Sequence, residues 1–190
     1  NGLNLSIETL EGLVKHNGPV KNLKLVDNLI GIQNLKKMID FKTFPSLEAQ
    51  ISAISDDIAY NNHDIQDGIN ANLFKLDELI EINFFREIYK KYKRNINKHN
   101  FKIVTYQIIR DSIDLMIKDI IKNTKKNIIK TNIKTSKEID KTNILLVDFS
   151  KKIKVSEKEI RYFLKEKMYN NKSVLNKNNE GKIIIKQLFK

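Results

Sequence analysis

Apolar residues recur at helical spacing along most of the chain, and polar breaks separate the recurrences. The first apolar stripe has four members at intervals of about one turn: Ile7, Leu10, Leu13 and Val14. Ser6 stands directly before this stripe and predicts an N-cap, because its hydroxyl can accept a hydrogen bond from a free backbone N–H. Asn17-Gly18-Pro19 predicts the end of the helix.

The same periodicity predicts helices over much of the remaining chain. Ser46 is expected to cap a helix from Leu47 to about Asp67, before Gly68. Ser156 with Glu159 forms a capping-box pattern, which predicts a helix from 157 to 168. Further helical segments are predicted at 27–40, 73–82, 83–92, 101–129 and 183–189. Residues 132–143 and 172–179 are polar, and 144–147 is too short an apolar run to assign. No repeat or alternating hairpin pattern interrupts the helices, so the sequence predicts an all-α fold.

Composition narrows the class of protein. The chain has 190 residues, 41% of them hydrophobic, which is ordinary for a globular protein. It has no cysteine, which excludes disulfides and thiolate metal sites and fits a cytoplasmic location. No apolar run reaches the roughly 18 residues of a membrane span, so no membrane partner is expected. Because the chain starts without Met, we expect it to begin inside a longer reading frame.

Charge is distributed unevenly along the chain. Residues 1–85 contain 7 Lys and 12 Asp or Glu, whereas residues 86–190 contain 28 Lys or Arg and 11 Asp or Glu. A basic region of this kind is typical of surfaces that meet polyanions. An ordinary solvated surface rich in lysine explains the same pattern, because charged side chains stay in water by default.

One predicted helix carries polar residues with a chemical pattern. Asp56, Tyr60 and Asp64 follow one another at intervals of four residues, which places them on one helical face. His63 lies near that face. A carboxylate can bind a divalent cation, and a phenol with a second carboxylate can contact sugar hydroxyls. A solvated acidic face is the alternative interpretation from spacing alone.

Three blocks of the sequence resemble the dGTPase-like hydrolases of the HD superfamily. They are 2–19 (GLNLSIETLEGLVKHNGP), 45–68 (PSLEAQISAISDDIAYNNHDIQDG), and, more loosely, 158–164 (KEIRYFL) with Met168-Tyr169. The resemblance implies a multi-helix bundle of the HD-domain type, incomplete at its N-terminal side. It further implies that 1–85 is the C-terminal part of the catalytic core and that 86–190 is a basic helical region packing on it.

The resemblance also implies roles for individual residues. The family's last metal-binding Asp precedes a Tyr by four residues, which makes Asp56 the metal ligand. Tyr60 and Asp64 are then expected to contact the deoxyribose and its 3′ hydroxyl. Asp57 is expected either to support the metal ligand without touching the ion or to have a purely structural role. His16 has no assigned role, and the candidates for phosphate binding by charge alone are Lys15 and Arg110.

The other ligands of such a site are not in this sequence. The family uses a His and an adjacent His-Asp pair, and the one His-Asp pair here, His63-Asp64, comes after Asp56. We therefore assign no catalytic residue to this chain and expect it to be inactive alone, since one carboxylate does not hold an ion tightly.

The implied activity is Mg²⁺- or Mn²⁺-dependent hydrolysis of a dNTP, dGTP-like, to deoxynucleoside and triphosphate by a homo-oligomer. Two other interpretations fit the same residues. One is an inactive remnant of such an enzyme. The other is an all-α module that binds single-stranded nucleic acid through residues 86–190, although the aromatics there follow core spacing rather than forming a stacking platform.

Overall fold

The computed structural model of the chain describes residues 3–22, 36–94, 96–97, 99–142 and 144–189. These residues form helices and no strand, which confirms the predicted all-α class. The helices are α1 (Ile7–Val14), α2 (Leu47–Asn70), α3 (Leu76–Leu79), α4 (Asn83–Tyr89), α5 (Phe101–Thr131), a 3₁₀ helix (Ser136–Lys141), α6 (Lys151–Leu164), a π-helical turn (Lys165–Tyr169) and α7 (Lys172–Leu188).

The chain divides into two compact units. The first consists of residues 1–57 and 119–149, and the second of residues 58–118 and 150–190. Helices α2 and α5 each contribute residues to both units. The division at residue 85, which the charge pattern and the resemblance suggested, stays a prediction. None of the described helices is both long and apolar enough to cross a membrane.

In the first unit, α1 begins at Ile7 as the sequence predicts and ends at Val14, three residues before Asn17. The Ser6 hydroxyl accepts a hydrogen bond from the backbone N–H of Thr9 at 3.3 Å, which caps the helix. After the helix, Gly18 adopts a φ of 94°, a conformation that favours glycine. The apolar side of α1 packs through Ile7 and Val14 against a small core of Ile39 and Phe41.

In the first unit a buried glutamine of α2 connects the helix to the segment 144–147. Gln50 Nε2 donates to the carbonyl of Pro45 at 2.8 Å, and its Oε1 accepts from the backbone N–H groups of Leu146 and Val147, each at 3.1 Å. Asn127 Nδ2 donates to the Leu146 carbonyl at 2.9 Å. The apolar run at 144–147, which the sequence left unassigned, is therefore a non-helical segment whose buried backbone is satisfied by side chains.

The core of the second unit is mainly apolar and includes a pair of hydrogen-bonded polar side chains. Its fully buried side chains include Ile65, Leu79, Phe85, Ile88, Ile108, Met116, Ile160 and Leu164. Among them, Asn62 donates to the carbonyl of Ile58 at 2.8 Å and accepts a hydrogen bond from the Ser112 hydroxyl. Because both polar groups are paired, their burial next to Met116 is tolerated.

A glycine allows close packing at the end of α2. A Cβ atom on Gly68 would overlap the ring of Phe74, which lies directly against the helix at that point. The Phe74 ring in turn meets Phe163 of α6 edge to face, with 4.8 Å between ring centroids. The sequence predicted that α2 ends before Gly68, but Gly68 lies inside the helix. At this position the close approach of Phe74 requires a residue without a side chain.

One helix prediction near the C-terminal end is wrong, and another is confirmed over a longer range than predicted. Ser150, not Ser156, caps α6, accepting from the Ile153 N–H at 3.5 Å, and Ser156 lies within the helix. The polar stretch 172–179 and the apolar stretch 183–189 belong to one helix, α7. The predicted helix at 27–40 falls largely outside the described residues.

Candidate functional site

Helix α2 carries the three residues to which the sequence gave a functional role. It is continuous from Leu47 to Asn70, so Asp56, Tyr60 and Asp64 lie one above another along one face. This is the arrangement that their spacing predicts. Their roles in binding a metal and a sugar stay predictions. The contacts of each side chain are described below.

Asp56 lies beside a histidine. Its Oδ2 is 3.4 Å from Nε2 of His16, which follows the C-terminal end of α1, and both side chains are about half exposed. The sequence gave His16 no role, because nothing in its local pattern connects it with Asp56. The structure thus brings together a carboxylate oxygen and an imidazole nitrogen, the two donor types that divalent-metal sites combine.

Lys15, one of the two phosphate candidates, has its charge satisfied inside the first unit. Its side chain is fully buried, and its Nζ lies 2.5 Å from Glu11 Oε1 and 2.8 Å from Thr43 Oγ1. A buried ammonium ion needs such partners, because burial in an apolar environment is costly for an unpaired charge. Arg110, the other candidate, is exposed on α5 in the second unit.

Tyr60 presents its ring to solvent. It is 67% exposed, although the helix on which it lies is otherwise amphipathic. A phenol ring left open on the same face as two carboxylates is available to stack against a flat or cyclic ligand. Asp57, one position after Asp56, is only partly exposed.

Asp64 has a partner that sequence analysis did not find. The hydroxyl of Tyr169 donates a hydrogen bond to its Oδ2. Burial raises the pKa of Tyr169 to about 12, and the hydrogen bond and negative charge of Asp64 act in the same direction. The phenol therefore keeps its proton at neutral pH. The only signal in the sequence was that Met168-Tyr169 falls within the third block of resemblance.

The described residues do not include a group of three or more His, Asp or Glu side chains placed to hold a metal ion. Asp56 with His16 offers two suitable donors on an accessible surface. Carboxylate and imidazole donors of this type fit a divalent cation such as Mg²⁺ or Mn²⁺.

The all-α class agrees with the sequence prediction, and comparison with known proteins tests the resemblance seen in the three sequence blocks. The chain is 58% identical over 188 residues to a deoxyguanosinetriphosphate triphosphohydrolase-like protein of Pelagibacter ubique. Proteins of the same name from Bartonella henselae and Rickettsia rickettsii are 34% and 33% identical. No protein-family profile matches the chain.

These matches extend over essentially the whole chain but not over the whole of the relatives. They cover 99% of the chain in the first case and 100% in the other two, and 51%, 48% and 49% of the respective relatives. The predicted resemblance is therefore confirmed: the chain is homologous, from end to end, to proteins named deoxyguanosinetriphosphate triphosphohydrolase-like. It spans about half the length of the curated relatives it matches, which is consistent with the predicted C-terminal portion.

Proposed function

We propose that this chain forms part of a metal-dependent dNTP triphosphohydrolase that converts a dGTP-like nucleotide to deoxynucleoside and inorganic triphosphate. The observation that carries the proposal is the face of α2, on which Asp56, Tyr60 and Asp64 repeat at four-residue intervals. The name shared by the homologues supports the same reaction class. The group that activates water is not among the residues we assign here.

Asp56 is the residue that holds the metal in this proposal. Its carboxylate is accessible, and His16 lies close enough to orient it or to share the ion. When bound, a divalent cation polarises a phosphoryl oxygen and lowers the pKa of water. Because a tight site needs several ligands at once, Asp56 and His16 alone bind the cation weakly, and the chain alone is inactive.

Tyr60 and Asp64 recognise the sugar in this proposal. The exposed Tyr60 ring packs against the deoxyribose, where a 2′ hydroxyl would be crowded. One turn further along α2, the Asp64 carboxylate accepts a hydrogen bond from the 3′ hydroxyl. A site built to pair with a hydroxyl discriminates strongly against analogues that lack it, because the polar group is then left without a partner.

The test is a complementation experiment. The chain is assayed for triphosphate release from dGTP with Mn²⁺, alone and together with the remaining half of the Pelagibacter ubique relative. We expect no activity from the chain alone and Mn²⁺-dependent activity from the combination. Asp56→Ala should lower that activity at least about 100-fold, since loss of a metal ligand removes both affinity and charge stabilisation.

Asp67→Ala is the matched control, because Asp67 is an exposed acid on the same helix that we place outside the site. It should leave the activity of the combination unchanged. Triphosphate release by the chain alone that persists in Asp56→Ala would contradict the proposal.

A further inference from the structure

The turn that carries Tyr169 has unusual backbone geometry. Residues Lys165–Tyr169 form a π-helical turn, closed by a hydrogen bond of 3.0 Å from the Asn170 N–H to the Lys165 carbonyl. Such a turn contains one residue more than an α-helical turn, and π turns of this kind occur often at functional sites. The extra residue rotates the positions after it by about 100° relative to an uninterrupted α-helix. Tyr169 therefore faces a direction that continuation of α6 would not give it.

Packing around this turn fixes where Tyr169 lies. Gly68 is one helical turn beyond Asp64 on α2, and Phe74 packs against it and against Phe163 of α6. Within the turn itself, Lys167 forms an ion pair of 2.5 Å with Glu78 at the end of α3. An aromatic contact before the turn and an ion pair inside it thus hold the segment that brings the Tyr169 hydroxyl to Asp64.

The geometry points to Tyr169 as a positioning residue for sugar recognition: its hydroxyl holds Oδ2 of Asp64, so that Oδ1 is oriented to accept the 3′ hydroxyl of a bound deoxynucleoside. This inference rests on the proposed function, in which Asp64 contacts the sugar. An ionised carboxylate has acceptor sites on both oxygens, so one donor from the protein and one from the ligand can be accommodated together. Restricting the rotation of Asp64 before binding lowers the entropy cost of forming the second hydrogen bond.

The inference can be tested with nucleosides, which need no metal ion. Binding of deoxyguanosine and of 2′,3′-dideoxyguanosine to the chain is measured by NMR chemical-shift titration, which detects weak association. The unmodified chain should bind deoxyguanosine about three- to tenfold more tightly, as expected for one additional hydrogen bond. Asp64→Asn and Tyr169→Phe should each reduce the ratio of the two affinities to about one. The double variant should show the same ratio as each single variant.

Tyr162→Phe is the control, because Tyr162 is an exposed tyrosine of α6 that we place outside the site. It should keep the full preference for deoxyguanosine. A second measurement does not depend on how a variant folds: in the unmodified chain the Tyr169 ring signal should shift with deoxyguanosine and stay in place with the dideoxy analogue.

The outcomes separate the inference from the proposed function. If Asp64→Asn abolishes the preference while Tyr169→Phe keeps it, Tyr169 is not a positioning residue, but Asp64 still recognises the sugar. If the unmodified chain shows no preference, or if Asp64→Asn leaves it intact, the sugar site itself is wrong and the inference falls with it.

Discussion

The pKa of Tyr169 depends strongly on the groups that surround its side chain. Its partial burial and its hydrogen bond to Asp64 both favour the neutral phenol, and the nearby Arg161 opposes them only weakly. Protonated tyrosine is a hydrogen-bond donor, whereas tyrosinate would repel the carboxylate. The contact is therefore stable only while the phenol keeps its proton.

This protonation requirement predicts a loss of stability in alkali. The pKa of Tyr169 is about 12 in the folded chain and about 10 when unfolded, so the folded state holds this proton more firmly. Its stabilising contribution is complete below pH 10 and is lost as the pH rises from about 10 to 12. Urea denaturation of the chain and of Tyr169→Phe across this range measures the effect. The stability advantage of the unmodified chain should shrink, and parallel pH profiles would contradict the assignment.

The buried side chain of Gln50 forms hydrogen bonds with backbone groups on which the stability of the fold depends. Its amide satisfies the carbonyl of Pro45 and two backbone N–H groups, at Leu146 and Val147. We expect Gln50→Ala to lower the free energy of unfolding by about 2–4 kcal/mol, because buried backbone groups lose their partners. Ser52→Ala, an exposed change on the same helix, should stay within about 0.5 kcal/mol of the unmodified chain. Equal urea midpoints for the two variants would show that water replaces the amide.

Among the helices, the boundaries that could be predicted are those set by local hydrogen bonds. Ser6 caps α1, and the Ser46 hydroxyl accepts from the Ala49 N–H at 3.4 Å at the start of α2. The capping box at Ser156 was a local signal of equal quality, yet α6 begins at Lys151, six residues before the predicted start at Glu157. Burial of Ile153 stabilises the additional turn, and that burial depends on tertiary packing that a short sequence pattern does not contain.

The candidate site was predictable to the extent that it lies on one helix. Spacing alone placed Asp56, Tyr60 and Asp64 on a common face. The partners came from elsewhere in the chain: His16 belongs to the segment after α1, and Tyr169 is 105 positions beyond Asp64. No periodic pattern relates such distant residues, and the π turn before Tyr169 makes a helical projection of that region misleading.

Close packing at Gly68 gives a prediction for α2. Gly68→Ala should lower the free energy of unfolding by about 1–3 kcal/mol, because the added methyl group overlaps the Phe74 ring. Gly181→Ala is the matched control in α7, where a Cβ atom would have no neighbour within 4 Å. That change should raise stability by up to about 1 kcal/mol, since alanine favours the helix. Thermal denaturation of both variants measures the difference, and a neutral Gly68→Ala would mean that Phe74 moves aside easily.

At the level of the whole molecule, the last helix leaves apolar surface in water. Five large apolar side chains near the end of α7 are mostly exposed: Ile183, Ile184, Ile185, Leu188 and Phe189. Exposed apolar side chains of this kind favour association in aqueous solution. The strongly basic composition of residues 86–190 acts in the opposite direction, because like charges repel.

We expect the apolar surface to prevail at moderate salt, where charge repulsion is screened. Sedimentation velocity should show association that increases with protein concentration. Ile184→Lys combined with Leu188→Lys should shift the chain toward monomer. The control adds the same charge to the same helix at exposed polar positions, Asn178→Lys with Asn179→Lys, and should leave association nearly unchanged. A chain that is monomeric at all concentrations would contradict the expectation.

The π turn at Lys165–Tyr169 also has a consequence for comparing this chain with its relatives. A π turn accommodates one residue more than regular α-helix, so a relative that lacks it would show a single-residue gap in an alignment between Leu164 and Tyr169. Removing that residue would rotate the phenol by about 100°, away from Asp64, even if a tyrosine were kept at the aligned column. Relatives in which a tyrosine can donate to the carboxylate at the position of Asp64 would therefore be recognised by the absence of this gap. A tyrosine aligned with Tyr169 would not by itself be sufficient.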